Sequence, residues 1–410
     1  MKKVNVYKIK PGMILGRDVK NRDGRLLFLK DLKLAQKEIR TLKMWGIPEI
    51  FIQIESQKEE QTETGSKLKD NKRTRQFLDN WFGNNDLKSP VIEMLYDICL
   101  SRLKNNQFEI PSFFEKKDDP AKLQPGKKIK PVKNIQRLLE DKLKLPSLPT
   151  IFSEINEAVQ SPKCSGKDIA AIVSKDTSLS ATLLKIVNSA YYGLGEKVES
   201  LNYAAMALGT RQVSSLALGI TVINYFKGIS DQRINMQSFW RHSIACGIAA
   251  KTLAAHVKGA VPDRVFIGGL LHDIGRLIFL NIYPAEFNAL LNKSQILGAF
   301  LYQVEPECFG MDHARFGSLL AKTWNFSGKI SRLIHHHHDD FKKEPPREVA
   351  IVYFANWLVN AIGIGSSGEN GLPPMNINAW KVLDMPETML ESIVKQIDRQ
   401  IVEAVKFFYE

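Results

Sequence analysis

Cysteine is scarce in this chain. Four occur in 410 residues (Cys99, Cys164, Cys246 and Cys308), far apart and with no CxxC pair. That argues against a disulfide-stapled scaffold or a zinc knuckle, and it fits a reducing, cytoplasmic setting. Long apolar runs are missing too: nothing approaches the ~18 consecutive apolar residues of a membrane helix. The opening MKKVNVYKIKPGM is basic but has no continuous apolar core and no small-residue cleavage site, so it does not read as a signal peptide. Negative charge is in deficit, with 44 acidic against 57 basic residues and a net charge of +13. Such a balance can serve nucleic acid, anionic membranes or acidic small molecules, so its placement decides. Eight basic residues lie between Lys116 and Arg137, interleaved with Pro120, Pro125, Gly126 and Pro131. The segment lacks stacking aromatics and a long helical run, and it reads as a solvated linker rather than a polyanion site. Binding of nucleic acid there would depend on Lys127, Lys128 and Lys130 and fall steeply with salt.

What is present is an ordinary globular composition, 44% hydrophobic and 25% charged, with length for two or three domains. Residues 1–55 are expected to form a small β-rich module. Val4, Val6 and Ile9 suggest a strand, and Asp23-Gly24 between Val19 and Leu26-Leu27-Phe28 signals a hairpin. Leu34 to Trp45 has helical spacing, and Ile50 to Ile54 closes the module. Residues 56–134 read as a helical spacer followed by the basic linker. From 135 to 362 the pattern is almost wholly helical, with Pro and Gly at the joints, which predicts an all-helical domain and a mainly α fold. Residues 363–410 hold a loop and an amphipathic helix with Met389, Ile393, Ile397, Ile401, Val405 and Phe408 on one stripe. Packing on the main domain is its plain role; dimerisation or partner binding is the alternative.

Chemistry concentrates in the histidines. There are eight, and seven lie in the helical domain at His242, His272, His313 and the run His335 to His338. His256 follows an Ala-rich helix and reads as surface. His272-Asp273 is the sharpest feature. An imidazole and a carboxylate at consecutive positions can face one divalent ion only if the helix ends or bends there, and Gly268-Gly269 and Gly275 permit close backbone approach. Taken alone, the pair could equally be a structural hydrogen bond.

FIGGLLHDIGRLIF resembles the HD motif of metal-dependent phosphohydrolases. LPSLPTIFSEI, IAAIVSKDTSLSATLLKIVNSAYYG, ESLNYAAMALGTRQVSSLALG, SFWRHSIACGIAAKTLA and MDHARFGSLLAKTWNFSGKISRLIHHHH resemble, in order, the HDOD branch of that superfamily. KIKPGMILGRDVKNRDGRLLFLK followed by GIPEIFIQI is similar to the N-terminal module of HD-GYP signalling proteins. The resemblance implies metal ligation by His242, His272, Asp273, His313, His337 and His338, with Asn356 where catalytic relatives carry an aspartate. His335 and His336 fall outside the family positions. Arg276 stands for the usual lysine, Ser238 for a glutamate of trinuclear relatives, and DDFKKEPP replaces the GYP segment. Charged ligands are thus expected to be lost while imidazoles are kept, which weakens binding of Mg or Mn and favours Fe, Ni or Zn, with Mn kept among the candidate ions. Arg276 and Arg241 are candidate phosphate or ligand contacts. Asn188, Ser189 and Tyr191 are expected to close a helix, and Trp240 and Trp324 to serve as core. The resemblance implies a bacterial signal-transduction protein whose domain is a non-catalytic or weakly catalytic scaffold for a protein partner or a nucleotide second messenger. The alternative is a metal-dependent phosphohydrolase acting on a nucleotide or cyclic dinucleotide.

Overall fold

The structure, a computed structural model, describes residues 74–409 apart from 110–130, 133–134, 141–147, 190–191, 193 and 230–233, and before them scattered positions within 2–52. The basic linker residues Lys127, Lys128 and Lys130, the Asp23-Gly24 pair, Tyr191 and the side chains of Val405 and Phe408 lie outside the described residues. The chain divides into two compact units, Met1–Arg73 and Thr74–Glu410.

In the first unit β1 (Lys2–Asn5) pairs antiparallel with β4 (Glu49–Ile52), and β2 (Val19–Lys20) with β3 (Leu26–Phe28). Ile9, Leu15, Val19, Leu34, Ile39, Leu42, Ile50 and Ile52 bury one another in a small core of their own.

The regular elements among the described residues of the second unit are all helices. The stretch 74–104, read from sequence as a spacer, contributes Leu78, Trp81, Phe82, Ile92, Leu95 and Cys99 to the same core as the histidine-bearing helices. Buried Arg102 fastens it there, donating from Nε to the Ile362 carbonyl at 2.9 Å and pairing with Asp398. Lys167 to Ser189 is two helices, Gly166–Val173 and Thr177–Val187, because Asp176 caps the second through the Leu179 amide. Asn188 closes it as expected: its amide donates to Leu184 O and Val198 O and accepts from Val198 N.

Seven helices carry or back the site: α1 (Met236–Ala254), α2 (Pro262–Leu271), α3 (Ile274–Ile282), α4 (Leu301–Phe309), α5 (His313–Thr323), α6 (Gly328–His335) and α7 (Arg347–Ala361). Side-chain caps fix where they start, Asn235 for α1, Asp312 for α5 and Ser327 for α6. α1 and α7 are buried on almost every face, as helices surrounded by others must be. Trp240 is fully buried and Trp324 half-buried against Phe152, so both serve as core, while His256 is exposed. The C-terminal helix Leu390–Tyr409 turns Ile393, Ile397 and Ile401 into the core, so that part of its apolar stripe is covered by its own domain.

Pro262–Ile282 is apolar and long enough to cross a bilayer, as is the pair Leu201–Leu208 and Thr210–Phe226 if its 120° bend is ignored. The first lies 83% buried within the domain, which makes it core. It is also broken in the middle, and that break makes the site.

Candidate metal centre

α2 ends at Leu271 with His272 as its cap, and α3 begins after Asp273, whose backbone (φ −94°, ψ 11°) leaves the helical region. The Asp273 carboxylate makes no capping bond and turns inward instead. Close packing around the break depends on missing side chains. A Cβ on Gly269 would stand 2.7 Å from the Cys246 carbonyl of α1, and one on Gly275 only 2.2 Å from the His313 carbonyl of α5. Gly275→Ala should therefore force α3 and α5 apart at the residue that orients His313. Because the obstacle is backbone, a loss toward the upper end of the ~1–3 kcal/mol overpacking range is expected, read as a lower urea midpoint. An unchanged midpoint would refute the packing argument.

Four places in the fold deliver the donors. His242 comes from α1, His272 and Asp273 from the α2–α3 break, His313 from the first turn of α5, and His337 and His338 from just beyond α6. The carboxylate is the hub. Its Oδ2 lies 2.9 Å from His272 Nε2 and 3.8 Å from His242 Nε2. Its Oδ1 lies 2.9 Å from His313 Nε2 and 3.6 Å from His337 Nε2.

The other ring nitrogens show which tautomers converge there. His272 Nδ1 donates to the Gly269 carbonyl, and His337 Nδ1 to the Ile334 carbonyl, each at 2.6 Å. His313 Nδ1 faces Glu305 Oε2, also at 2.6 Å. In each ring Nδ1 therefore carries a proton; the Nε2 lone pairs of His272 and His337 point at the Asp273 carboxylate, and His313 Nε2 faces its Oδ1. Arg276 Nε also lies 3.3 Å from His313 Nδ1, but the shorter Glu305 contact decides the tautomer. Lone pairs at such distances repel unless a proton or cation lies between them. His272 Nε2 and Asp273 Oδ1, both buried, have no hydrogen-bond partner. Orphaned buried acceptors of this kind carry a heavy desolvation cost.

Charge points the same way. Asp273, Glu305 and Glu369 are all buried and face one buried guanidinium, Arg276. With neutral imidazoles, two negative charges are in excess. Burial, with His272 beside it, holds His242 down to about 3, and burial does the same to His337. Against burial and the Arg276 charge, Glu305 and Asp273 push His313 up to about 9. A proton on His313 is thus the cation-free site's partial answer to its own charge. Against the cost of burial, Arg276 and His272 hold Asp273 well below the usual carboxylate range. Neutral imidazoles beside an ionised carboxylate are the donor set a divalent ion requires.

Two sequence expectations change here. Carboxylates are not simply lost: Glu305 and Glu369 bring negative charge back, at positions behind the imidazoles. Glu305 had a readable signal, an acid on the apolar stripe Leu301, Val304, Cys308. Glu369, in the loop GSSGENGLPP, had none. The arginines also stand differently from their reading as ligand contacts. Arg276 donates to Ser367 Oγ at 2.6 Å and pairs with Glu369, fully buried. Arg241 pairs with Glu109. Asn356 does sit beside the cluster, its Oδ1 3.1 Å from His242 Nε2 and accepting from Asn360. His335 and His336 stay outside it; His336 pairs with Asp339. His338 stacks on Tyr302 with ring centroids 4.4 Å apart and lines a cavity of about 320 Å³, together with His337, Asn356, Asn360, Trp357 and Tyr353.

Residues 145–340 match the HDOD domain family model, so the chain carries an HDOD domain. A protein of uncharacterised function from Treponema pallidum (strain Nichols) is 27% identical over 218 residues, covering 52% of this chain and 42% of that protein's length. The chain therefore spans less than half of that curated relative. A structure from Shewanella amazonensis SB2B, whose given name is that of a phosphohydrolase, aligns over 67% of this chain and 97% of its own at 23% identity and a TM-score of 0.54. Another from Marinobacter aquaeolei VT8, named for signal transduction, aligns over 66% and 61% at 20% identity and a TM-score of 0.53. At such identities the likeness is one of fold.

Proposed function

We propose that this is a regulatory, signal-transducing protein whose HDOD domain binds a divalent cation as a structural organiser and acts as a ligand- or partner-binding scaffold rather than a hydrolase. The observation that carries the reading is enclosure. His242, His272 and His313 are 0% exposed, and Asp273 and His337 only 1%, whereas catalytic metal sites keep a position open to water and substrate. Asp273, His313, His337 and His338 would hold the ion, with His242 and His272 adjoining. Where water reaches it, such an ion supplies Lewis-acid activation; in this enclosed cluster it balances carboxylate charge and cross-links α1, the α2–α3 break, α5 and α6. Arg276 supports the same reading, since its guanidinium is committed to Ser367 and Glu369 and is not free to clamp a phosphate. Among the described residues, no lysine or arginine lines the cavity beside His338. The input would be a signalling protein or a nucleotide messenger, relayed through the N-terminal module, whose sequence is similar to that of HD-GYP proteins.

The test is elemental analysis of untagged protein, combined with a hydrolysis screen of cyclic dinucleotides, nucleotides and generic phosphoesters. Near-stoichiometric metal without turnover is expected. Turnover abolished by Asp273→Ala would sink the scaffold reading and favour the second one, a phosphohydrolase, for which the cavity reaching His337, His338 and Asn356 speaks. Asn356→Asp bears on both. A carboxylate 3.1 Å from His242 should tighten Mn²⁺ binding by roughly 10-fold or more, since hard cations follow ligand charge. Calorimetric titration showing no change would remove Asn356 from the cation's surroundings.

A further inference from the structure

Cys246 was not among the site residues expected from sequence. It lies one helical turn beyond His242 on α1, on the same face and fully buried. Its Sγ is 3.5 Å from His242 Nε2 and 3.8 Å from Asn356 Oδ1, and the latter two atoms are 3.1 Å apart. The three form a compact N, S, O triangle. His272 completes it, since donor atoms of His242, Cys246 and His272 all fall within 4.8 Å of one another. This is a different grouping from the one around Asp273, His313, His337 and His338. The two are joined by the carboxylate, whose Oδ2 faces His272 and His242 while Oδ1 faces His313 and His337.

The edge lengths carry chemical meaning. With metal–sulfur bonds of ~2.3 Å and metal–nitrogen bonds of ~2.0–2.1 Å, a tetrahedral zinc site has N···S edges of roughly 3.5 Å. That is the separation of Cys246 Sγ and His242 Nε2. A thiol hydrogen bond would give a similar spacing, but it leaves His272 Nε2, 0% exposed and without a partner, aimed into the same space.

We propose that Cys246 is a thiolate ligand in a second, sulfur-containing half of the cluster, formed with His242 and His272 and closed by the Asn356 amide oxygen, and that this half takes a borderline-soft, zinc-like divalent ion. The inference rests on the cation-binding reading above and adds a ligand and a metal class to it. On binding, the Sγ–H bond breaks, the metal–sulfur bond forms from the sulfur's electron pair, and the proton leaves to solvent. Soft sulfur selects zinc, cobalt or iron over magnesium and manganese. The cluster is thus divided into a harder half around Asp273 Oδ1 and a softer half around Cys246.

Cobalt(II) as a zinc surrogate tests this without any activity assay. Metal-free full-length protein loaded with cobalt should show a sulfur-to-cobalt charge-transfer band in the near ultraviolet. Cys246→Ser should lose that band while keeping the visible bands of imidazole-bound cobalt. Zinc affinity should fall in the same variant by at least the ~10–100-fold that loss of an outer partner costs, with manganese affinity little changed. Cobalt bound without the charge-transfer band, or a band that survives Cys246→Ser, would overturn this inference alone. No cobalt uptake at all would overturn the cation reading and this inference with it. Should Cys246→Ser fail to fold, the wild-type spectrum decides, because Cys99, Cys164 and Cys308 lie outside both donor groups.

Discussion

Asp273→Asn is expected to strip the protein of bound divalent metal while leaving the metal-free fold at least as stable as before. The two substituents are nearly the same size, so packing is preserved. What changes is charge and hydrogen bonding. In the wild type, Oδ2 meets the Nε2 lone pair of His272 at 2.9 Å. An asparagine NH2 can donate to His272 Nε2, converting that acceptor–acceptor contact into a hydrogen bond, and it lowers the buried negative excess by one. Both effects favour the metal-free state. Neither helps a cation, which loses its one carboxylate contact among imidazoles. Wild-type stability should rise with added metal, by about 2.7 kcal/mol at a hundredfold excess over Kd, and this response should vanish in Asp273→Asn. The measurement is a thermal unfolding series against Zn²⁺ and Mn²⁺, with metal content by elemental analysis. A variant that still binds metal, or a wild type indifferent to it, would refute the centre as described.

Arg276→Met is expected to be the most destabilising substitution in the cluster. The guanidinium is fully buried and pairs with Glu369 while approaching Asp273 at 3.6 Å and Glu305 at 3.5 Å. Removing it leaves three carboxylates with no fixed positive charge. Breaking a buried pair from one side costs about 3–5 kcal/mol, because the remaining charge stays desolvated. Arg276→Lys should recover little, since one ammonium cannot span Ser367, Glu369 and Glu305 together. Adding Glu369→Gln to Arg276→Met should restore part of the loss. It removes one orphaned charge, and the amide oxygen can still accept from Leu301 N, which now bonds Glu369 Oε2 at 2.9 Å. Coupling of roughly 0.5–3 kcal/mol is the expected size for residues in contact. Urea midpoints of the two single variants and the double variant give it directly; strictly additive losses would show that Arg276 acts by packing alone. The Arg276→Met variant should also depend more steeply on added metal, because the cation becomes the remaining counter-charge.

How far the sequence carried these conclusions differs from residue to residue. The helical domain was legible because burial imposes helical periodicity and Pro and Gly mark the joints. Adjacent His272 and Asp273 signalled a helix break, since no continuous helix turns consecutive side chains to one point, and the glycines beside them signalled backbone contact. The spacer reading of 74–104 came from its polar and basic flanks; nothing local says that Cys99 and Arg102 will meet residues more than 250 positions away. Cys246 was passed over because a thiol on an apolar helix is ordinary core. Glu305, Glu369 and Ser367 became part of the site only when α4 and the loop after α7 came against Arg276.

The sequence by itself determined which groups could bind a cation, because ligand chemistry belongs to the side chain. Only the tertiary structure decided which of them converge. Tautomer, charge excess and orphaned lone pairs depend on what stands on the far side of each ring, and for His272, His313 and His337 those partners are Gly269 O, Glu305 and Ile334 O. The arginine that sequence offered to a ligand is likewise held by Glu369, a carboxylate 93 residues away, because a buried charge takes the nearest counter-charge that folding supplies.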